Sequence, residues 1–379
     1  MNPFIYGTVV HGKDFFDRKD ERAHITKTLA GGNNMVLYAP RRFGKTSLVF
    51  SVMEALEKQN CTCVYFDFMP VYSPESFVRL YAQVLSKKQS NLNTFVQTFA
   101  SLVKTIRPTL GFTADGEPEF SIDFAATAPV DETVVGQLLD MPERMCANSG
   151  KRMVIFFDEF QECEKLTSIN FEQLLRSKIQ HQKKVNYLFL GSKTHLMNDL
   201  FNNKNRAFYN SASQMTLGAL PQDETIAYLQ KKFTAHNMNI THESARALIA
   251  AAGDIPHYIQ LLAAEVWQYM VDTAKTVTLP IINDCVQRVL ALKNDYYMEV
   301  FDRQSQKKKQ LLQALTVSGK NIFSADFIRT HRLSSSAAIQ RAAKELLADG
   351  IVEKLKDEYF IADPFFKMFV LSTMRQAQL

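Results

Sequence analysis

Glycine is scarce in this 379-residue chain, at 14 residues, which argues against a loop-rich or low-complexity protein and for a helix-rich one. Cysteine is limited to Cys61, Cys63, Cys146, Cys163 and Cys285. An odd count without CxxC pairs excludes a disulfide framework and a cysteine-based zinc site. Cys61 and Cys63 alternate along a predicted strand and read as packing residues. The eight histidines, His181, His195 and His257 among them, show no metal-ligand spacing. No stretch approaches the 18 or more apolar residues of a membrane helix. The opening MNPFIYGTVVHGKDFF lacks a basic start followed by a long apolar run, so no secretory leader is expected. The chain is therefore expected to be cytoplasmic and soluble, with no membrane partner.

Apolar residues make up 46%, enough to bury real cores, and the length suits two or three domains. The net charge is +5, and it is unevenly placed. From Ser305 onward there are 12 Lys/Arg against 7 Asp/Glu, so the last fifth carries the whole excess.

The pattern along the chain alternates strands with helices. Residues 35–39 (MVLYA) are a short apolar run and read as a buried strand. After a glycine-containing loop, Leu48, Val49, Val52, Met53 and Leu56 recur at helical spacing over 46–59. Residues 61–69 form a second strand, and Ser73-Pro74-Glu75 opens a helix with Ser73 as N-cap. FTADGEPEFSID alternates around Asp115-Gly116 and predicts a β-hairpin at about 107–127, read as a surface insertion. A helix follows at roughly 131–148. RMVIFF (152–157), NYLFLG (186–191) and MTLGAL (215–220) are the third, fourth and fifth strands. This order implies a parallel sheet covered on both faces. Residues 222–300 show helical periodicity and no convincing strand; Trp267 lies on an apolar helix face there. From Lys307 three helices precede two short strands around Lys356-Asp357-Glu358, the pattern of a winged helix-turn-helix.

Two segments carry chemistry. A phosphate-binding loop needs inward N–H groups at a helix start and one flexible cation, which GxxxxGK[ST] supplies. In APRRFGKT, Gly44, Lys45 and Thr46 match, and Ala39 stands at the first glycine. Lys45 would reach the β/γ-phosphates and Thr46 would hold Mg²⁺. About 110 residues later, MVIFFDE delivers Asp158 and Glu159 from a separate buried strand. Asp158 would hold Mg²⁺ through water, and Glu159 would polarise the attacking water. Ser192 ends the fourth strand, which in such a sheet lies between those of the phosphate loop and the acidic pair. It would sense the γ-phosphate or hold the lytic water, or it is a plain loop serine; adjacent Lys193 could serve instead.

These segments, with others, resemble a known group. FFDRKDE (15–21), APRRFGKTSL (39–48), VIFFDEFQE (154–162), FLGSK (189–193) and GDIPHYIQLL (253–262) follow the order of the archaeal-type ATPase family, near the STAND and initiator branches of the AAA+ class. The resemblance spans roughly residues 1–300. It implies an ATP-binding core with a helical lid and often a C-terminal winged helix. It places Arg18, in the FxxRxxE box, near base and ribose, and Pro256 over the adenine. Ala39, Pro40, Arg41, Arg42, Phe43, Gly44, Lys45, Thr46 and Ser47 become the nucleotide-binding loop. One departure stands out. The family often carries an arginine after a Leu-Tyr-Gly-like stretch, a candidate arginine finger; here the stretch is Phe208-Tyr209-Asn210-Ser211. Arg206 is close but displaced, and Arg41 and Arg42 are other cations a phosphate could use. A slow ATPase or a nucleotide-holding switch is expected.

The expected architecture is a three-layer α/β P-loop NTPase core with a parallel sheet (1–220), an α-helical lid (221–303) and a winged-helix domain (304–379). The third helix of the last offers Ser334, Ser335, Ser336, Gln340, Arg341 and Lys344 for a DNA groove, although Ala337, Ala338, Ala342 and Ala343 make it bland. Lys307–Lys309, Arg329, Arg332, Lys354 and Lys356 would touch phosphates. A protein partner competes with DNA for that surface. ATP, ADP and Mg²⁺ are the expected small ligands. The sequence leaves open a homo-oligomer that supplies the missing arginine. Two functions follow: an ATPase that moves lid and winged helix, or a nucleotide-gated DNA-binding regulator in which hydrolysis is incidental.

Overall fold

A computed structural model of the chain describes residues 2–9, 18–89, 91–103, 107–112, 118–123, 130–271, 275–355 and 357–376. The chain forms two compact units. One contains Lys19–Ala39 and Leu48–Leu217; the other contains the N-terminal residues through Arg18, Pro40–Ser47 and Gly218–Leu379.

The first unit is built on β1 (Met35–Tyr38), β2 (Thr62–Asp67), β3 (Arg107–Phe112), β4 (Pro118–Asp123), β5 (Met153–Asp158), β6 (Val185–Gly191) and β7 (Ser213–Thr216). Five of these make a parallel sheet in the order β2-β5-β6-β1-β7. Every residue of β1, β5 and β6 is buried, so both faces of the central sheet are covered, as their nearly continuous apolar runs require. β6 lies between β1 and β5, where the sequence places it. One face holds Val36, Phe66, Phe157 and Phe189 in a core dominated by aromatics. Phe68, Phe77, Phe157 and Phe160 meet there edge-to-face or stacked at centroid distances of 5.2–6.0 Å.

Local features refine the sequence expectation. The helix at roughly 131–148 is two helices, Glu132–Leu139 and Met141–Ser149, because Pro142 starts a new first turn after Asp140. β3 and β4 form the antiparallel hairpin; Ser121 on one face is exposed, and the other face is packed. Phe120 and Ile122 are buried, and the Phe120 ring meets Phe95 at 5.0 Å and Phe99 at 5.3 Å. Asp115-Gly116 lies outside the described residues. The fifth strand runs over Ser213–Thr216 and not 215–220, because its partner β1 ends at Tyr38, opposite Thr216. Ser73 caps the helix Pro74–Ser86 as expected, in a reciprocal box with Ser76.

The second unit is largely helical. It contains the helices Gln222–Thr234, His242–Ala251, Pro256–Met270 and Leu279–Asp302. β8 (Asn239–Ile240) and β9 (Thr276–Val277) pair there in parallel, a strand pair that the sequence reading lacks because two residues carry no periodicity. Helices Gln306–Val317, Ala325–Thr330 and Ser336–Ala348 follow, then the hairpin of β10 (Val352–Leu355) and β11 (Glu358–Ile361). Lys356 lies outside the described residues. A final helix, Pro364–Gln376, was not anticipated. Asp363 starts it by accepting from the N–H groups of Phe365 (2.9 Å) and Phe366 (3.3 Å), and Pro364 fills its first turn. Its Phe365, Phe366, Phe369 and Val370 belong to one core with Leu262, Leu311 and Leu346. Among the described residues no helix is long and apolar enough to cross a membrane.

Candidate functional site

In the first unit the sheet's C-terminal edge gathers the acidic pair. Asp158 is the last residue of β5 and opposite Asp67 of β2 in register. It is 5% exposed, so its charge needs partners. Tyr65 donates its hydroxyl to Asp158 Oδ2 at 2.5 Å, and the Glu159 N–H donates to Oδ1 at 2.9 Å. The Tyr65 ring lies 5.2 Å from Phe50 of the helix Lys45–Glu57, on the sheet face to which Asp158 points. Burial and the neighbouring Asp158 hold the Tyr65 phenol far above its ordinary range, so it stays a donor.

Glu159 has φ +48° and ψ +42°, a left-handed conformation that costs a non-glycine residue about 1–2 kcal/mol. Its Oε2 accepts two hydrogen bonds, from Ser192 Oγ at 2.6 Å and from Gln161 Nε2 at 2.6 Å. Ser192 is therefore tied to the acidic pair. Lys193, the other candidate, pairs with Glu162 at 2.8 Å instead. Burial tends to raise the Glu162 carboxyl, but Lys165 and Lys193 prevail and hold it below the usual range. Ala39 follows β1 and donates its N–H to the carbonyl of Gly191, the last residue of β6, at 3.3 Å.

Arg206 does not stand open as a substitute arginine finger in this state. Its guanidinium lies 2.5 Å from Glu164, 2.6 Å from Glu172 and 3.2 Å from Asp199.

Residues 40–47, the expected phosphate loop, belong to the second unit. Gly44 has φ +80°, which explains glycine there: a Cβ would have space but not an easy conformation. Arg42 also has a positive φ, +70°. Phe43 is buried in the core of the helical unit. Lys45 is 7% exposed, and Thr46 and Ser47 are half-buried at the start of Lys45–Glu57. The Arg42 carbonyl accepts from the His257 N–H at 3.3 Å. Its guanidinium lies 5.0 Å over the Tyr258 ring and 3.9 Å from Asp363. Asp363 also accepts from the Tyr297 hydroxyl at 3.0 Å and lies 3.9 Å from Lys293. Arg41 lies beside Gly350, 3.2 Å from where a Cβ would be. Pro256 opens the helix Pro256–Met270 after Gly253 and Asp254, both left-handed. Arg18 is 3% exposed and donates to the main-chain carbonyls of Gly218 and Ala219.

Burial, with Arg42 and Lys293 nearby, pushes the His257 imidazole down from 6.5 to about 4 against the opposing pull of Asp363. The folded imidazole is thus neutral, and the unfolded chain takes up this proton first on acidification. The contribution is complete above about pH 6.5 and declines toward pH 4. Denaturant unfolding over that window is expected to show a steeper loss of stability in the unmodified chain than in His257→Gln; equal slopes would contradict it.

Sequence reasoning missed Tyr65 and Asp363. Tyr65 carried no signal beyond its place on the strand next to β5. Asp363-Pro364 before Phe365, Phe366, Phe369 and Val370 is a helix-start signature that could have been found.

Residues 295–372 match a family described as a probable winged helix domain. No curated protein matches the chain. Among solved structures the chain is similar to the Walker-type ATPase of Pyrococcus abyssi, with 16% identity, a TM-score of 0.63, and coverage of 98% of this chain and 100% of that one. It is also similar to the ORC2 protein of Aeropyrum pernix in its ADPNP-ADP complexes, with 11% identity, a TM-score of 0.56, and coverage of 96% and 95%. The ADP form of that protein gives 11% identity, a TM-score of 0.54, and coverage of 97% and 96%. Such identities speak for the fold. The chain has the parallel-sheet fold of the archaeal Walker-type ATPases and ends in a probable winged helix domain.

Proposed function

We propose that the chain binds ATP with Mg²⁺ through Ala39–Ser47 and the pair Asp158–Glu159, hydrolyses it slowly, and passes the state of the phosphate loop to a lid (221–303) and a winged helix (304–379). The observation that carries the coupling is the anchorage of Arg42, a phosphate-loop residue, on His257, Tyr258 and Asp363. A change in the loop that moves Arg42 must break or remake contacts to the lid and to the first turn of the last helix. The donors offered to a cation, Asp158 and the Thr46 hydroxyl, are all oxygen, which suits Mg²⁺. Among the described residues no group of three or more His, Cys, Asp or Glu side chains could hold a metal ion. Phosphate oxygens and water would complete such a site. When bound, the ion would neutralise phosphate charge. Lys45 would bind the β/γ-phosphates, Glu159 would orient and deprotonate water, and Ser192 would hold Glu159. Arg18 and Pro256 would frame the base. The absence of an arginine at 208–211 and the triple pairing of Arg206 support low turnover. An arginine from a second copy would raise it, so specific activity that climbs with protein concentration would identify a homo-oligomeric active form.

Asp363→Asn tests the coupling. It weakens the attraction for Arg42 while keeping an N-cap. ATP affinity is expected to change, because the loop no longer shares its arginine with the winged helix. ATP affinity and nucleotide-dependent protease protection of the C-terminal segment both equal to those of the unmodified chain would refute the coupling.

The second reading, a nucleotide-gated DNA-binding regulator, is favoured by the third helix of the C-terminal segment. Ala342 and Ala343 are turned into the core, which leaves Gln340, Arg341 and Lys344 exposed on one face. Some of the basic residues expected at phosphates pair with carboxylates. Lys308 lies 2.9 Å from Glu345, Lys309 2.9 Å from Asp302, and Arg329 2.8 Å from Asp326. If the exposed face meets a duplex, replacing both Arg341 and Lys344 by Ala reduces the log–log salt slope by about 2. No DNA binding at low salt ends this reading and leaves a protein partner for the surface.

A further inference from the structure

The pair Ser192 and Gln161 shares one acceptor, Glu159 Oε2, with both donors at 2.6 Å. Gln161 follows the acidic pair in the short 3₁₀ turn Phe160–Lys165, and it is 2% exposed. The turn is held rigidly. Phe160 packs on Phe157, Phe189, Phe201 and Phe208, with centroids 4.7–6.0 Å apart.

The Gln161 amide is wedged against β6. A Cβ on Gly191 would come within 2.5 Å of Gln161 Oε1 and 2.2 Å of Met197 Cγ, so only glycine leaves room for it. A carboxylate accepts but does not donate, so the amide NH₂ must face Glu159 and the carbonyl must point away. That carbonyl, Oε1, is buried without a hydrogen-bond partner. An orphaned buried acceptor of this kind is destabilising. A methionine would fill the same volume without that penalty. Packing alone therefore does not explain a glutamine here.

We infer that Gln161 is a positioning residue for the proposed hydrolysis. It fixes Glu159 Oε2 together with Ser192, so that the rotamer of the carboxylate is set before water is bound. Two donors from two elements, the 3₁₀ turn and the end of β6, define the plane of the carboxylate in a way that one could not. Gln161 touches neither nucleotide nor water in this role; it acts through Glu159. The inference rests on the hydrolytic reading above.

The test uses the full chain with Mg²⁺ and ATP. Gln161→Met is expected to lower kcat about tenfold or more, as loss of one hydrogen bond to a charged group implies, while KM and ATP affinity stay within about twofold. Its melting temperature is expected to be unchanged or higher, because the orphaned carbonyl is gone. In a Glu159→Gln background, Gln161→Met is expected to have no further effect on residual turnover. A structural role would instead lower the melting temperature and reduce turnover in both backgrounds, which overturns the inference. Ser192→Ala, a smaller change at the same oxygen, supplies the second arm. Its effect and that of Gln161→Met are expected to be non-additive, and strict additivity contradicts a shared acceptor. Glu159-dependent turnover that Gln161→Met leaves unchanged overturns this inference alone. If the unmodified chain shows no such turnover, the hydrolytic reading fails and takes this inference with it.

Discussion

Replacement of Lys45 by alanine is expected to abolish ATP binding, with affinity falling at least about a hundredfold. The reason is local. Lys45 is the first residue of a helix whose leading amides have no intrahelical acceptor, and it follows Gly44, whose positive φ turns the chain into that helix. A triphosphate brought to this place meets the amides and one cation. Without the ammonium, the amides alone must offset several negative charges. The variant is expected to fold, since the lysine stem packs at a helix end and not inside a core. Calorimetric titration with ATP, in parallel with thermal unfolding, checks both parts. Unchanged affinity in a folded Lys45→Ala protein would remove the loop from the account.

Glu159→Gln is expected to act differently, keeping ATP affinity while turnover falls by about 10²–10⁴-fold. The substitution preserves shape and removes the ability to take a proton. Ser192 can still donate to the amide oxygen, so the geometry at 2.6 Å survives on that side. On the proposed reading, binding rests on Lys45, Thr46 and Asp158 and not on this carboxylate. Single-turnover kinetics at saturating ATP measures the loss directly. Turnover equal to that of the unmodified chain in a clean preparation would deny Glu159 its role as base.

The fold was largely legible because its three central strands are short and wholly buried. MVLY, MVIFFD and VNYLFLG have no polar face, so each could be recognised, and their alternation with helices implied a parallel sheet. What stayed hidden was decided by side chains meeting across elements. Tyr65 and Asp158 sit on neighbouring strands whose pairing no periodicity reveals. Gln161 lies two residues from Glu159, but its donation to that carboxylate depends on a left-handed Glu159, a conformation that the sequence does not announce. Asp363 lies far from Arg42 in sequence, and their proximity depends on how the last helix packs. The breaks were missed for local reasons. Pro142 interrupts a helical pattern that remains apolar on both sides, and β8 and β9 are too short to show alternation. The candidate surface for DNA or a protein partner was only half legible: the exposed residues of the third helix could be named, while the pairing of Lys308 with Glu345 and Asp349 needed the fold.

The most direct measurement is a structure of the full chain with Mg²⁺ and a non-hydrolysable ATP analogue. The account predicts the Lys45 ammonium on the β/γ-phosphates, Thr46 and Asp158 around one Mg²⁺, and Glu159 beside the water in line with the γ-phosphate. A nucleotide seated elsewhere, or Lys45 and Asp158 too far apart to share that ion, would contradict it.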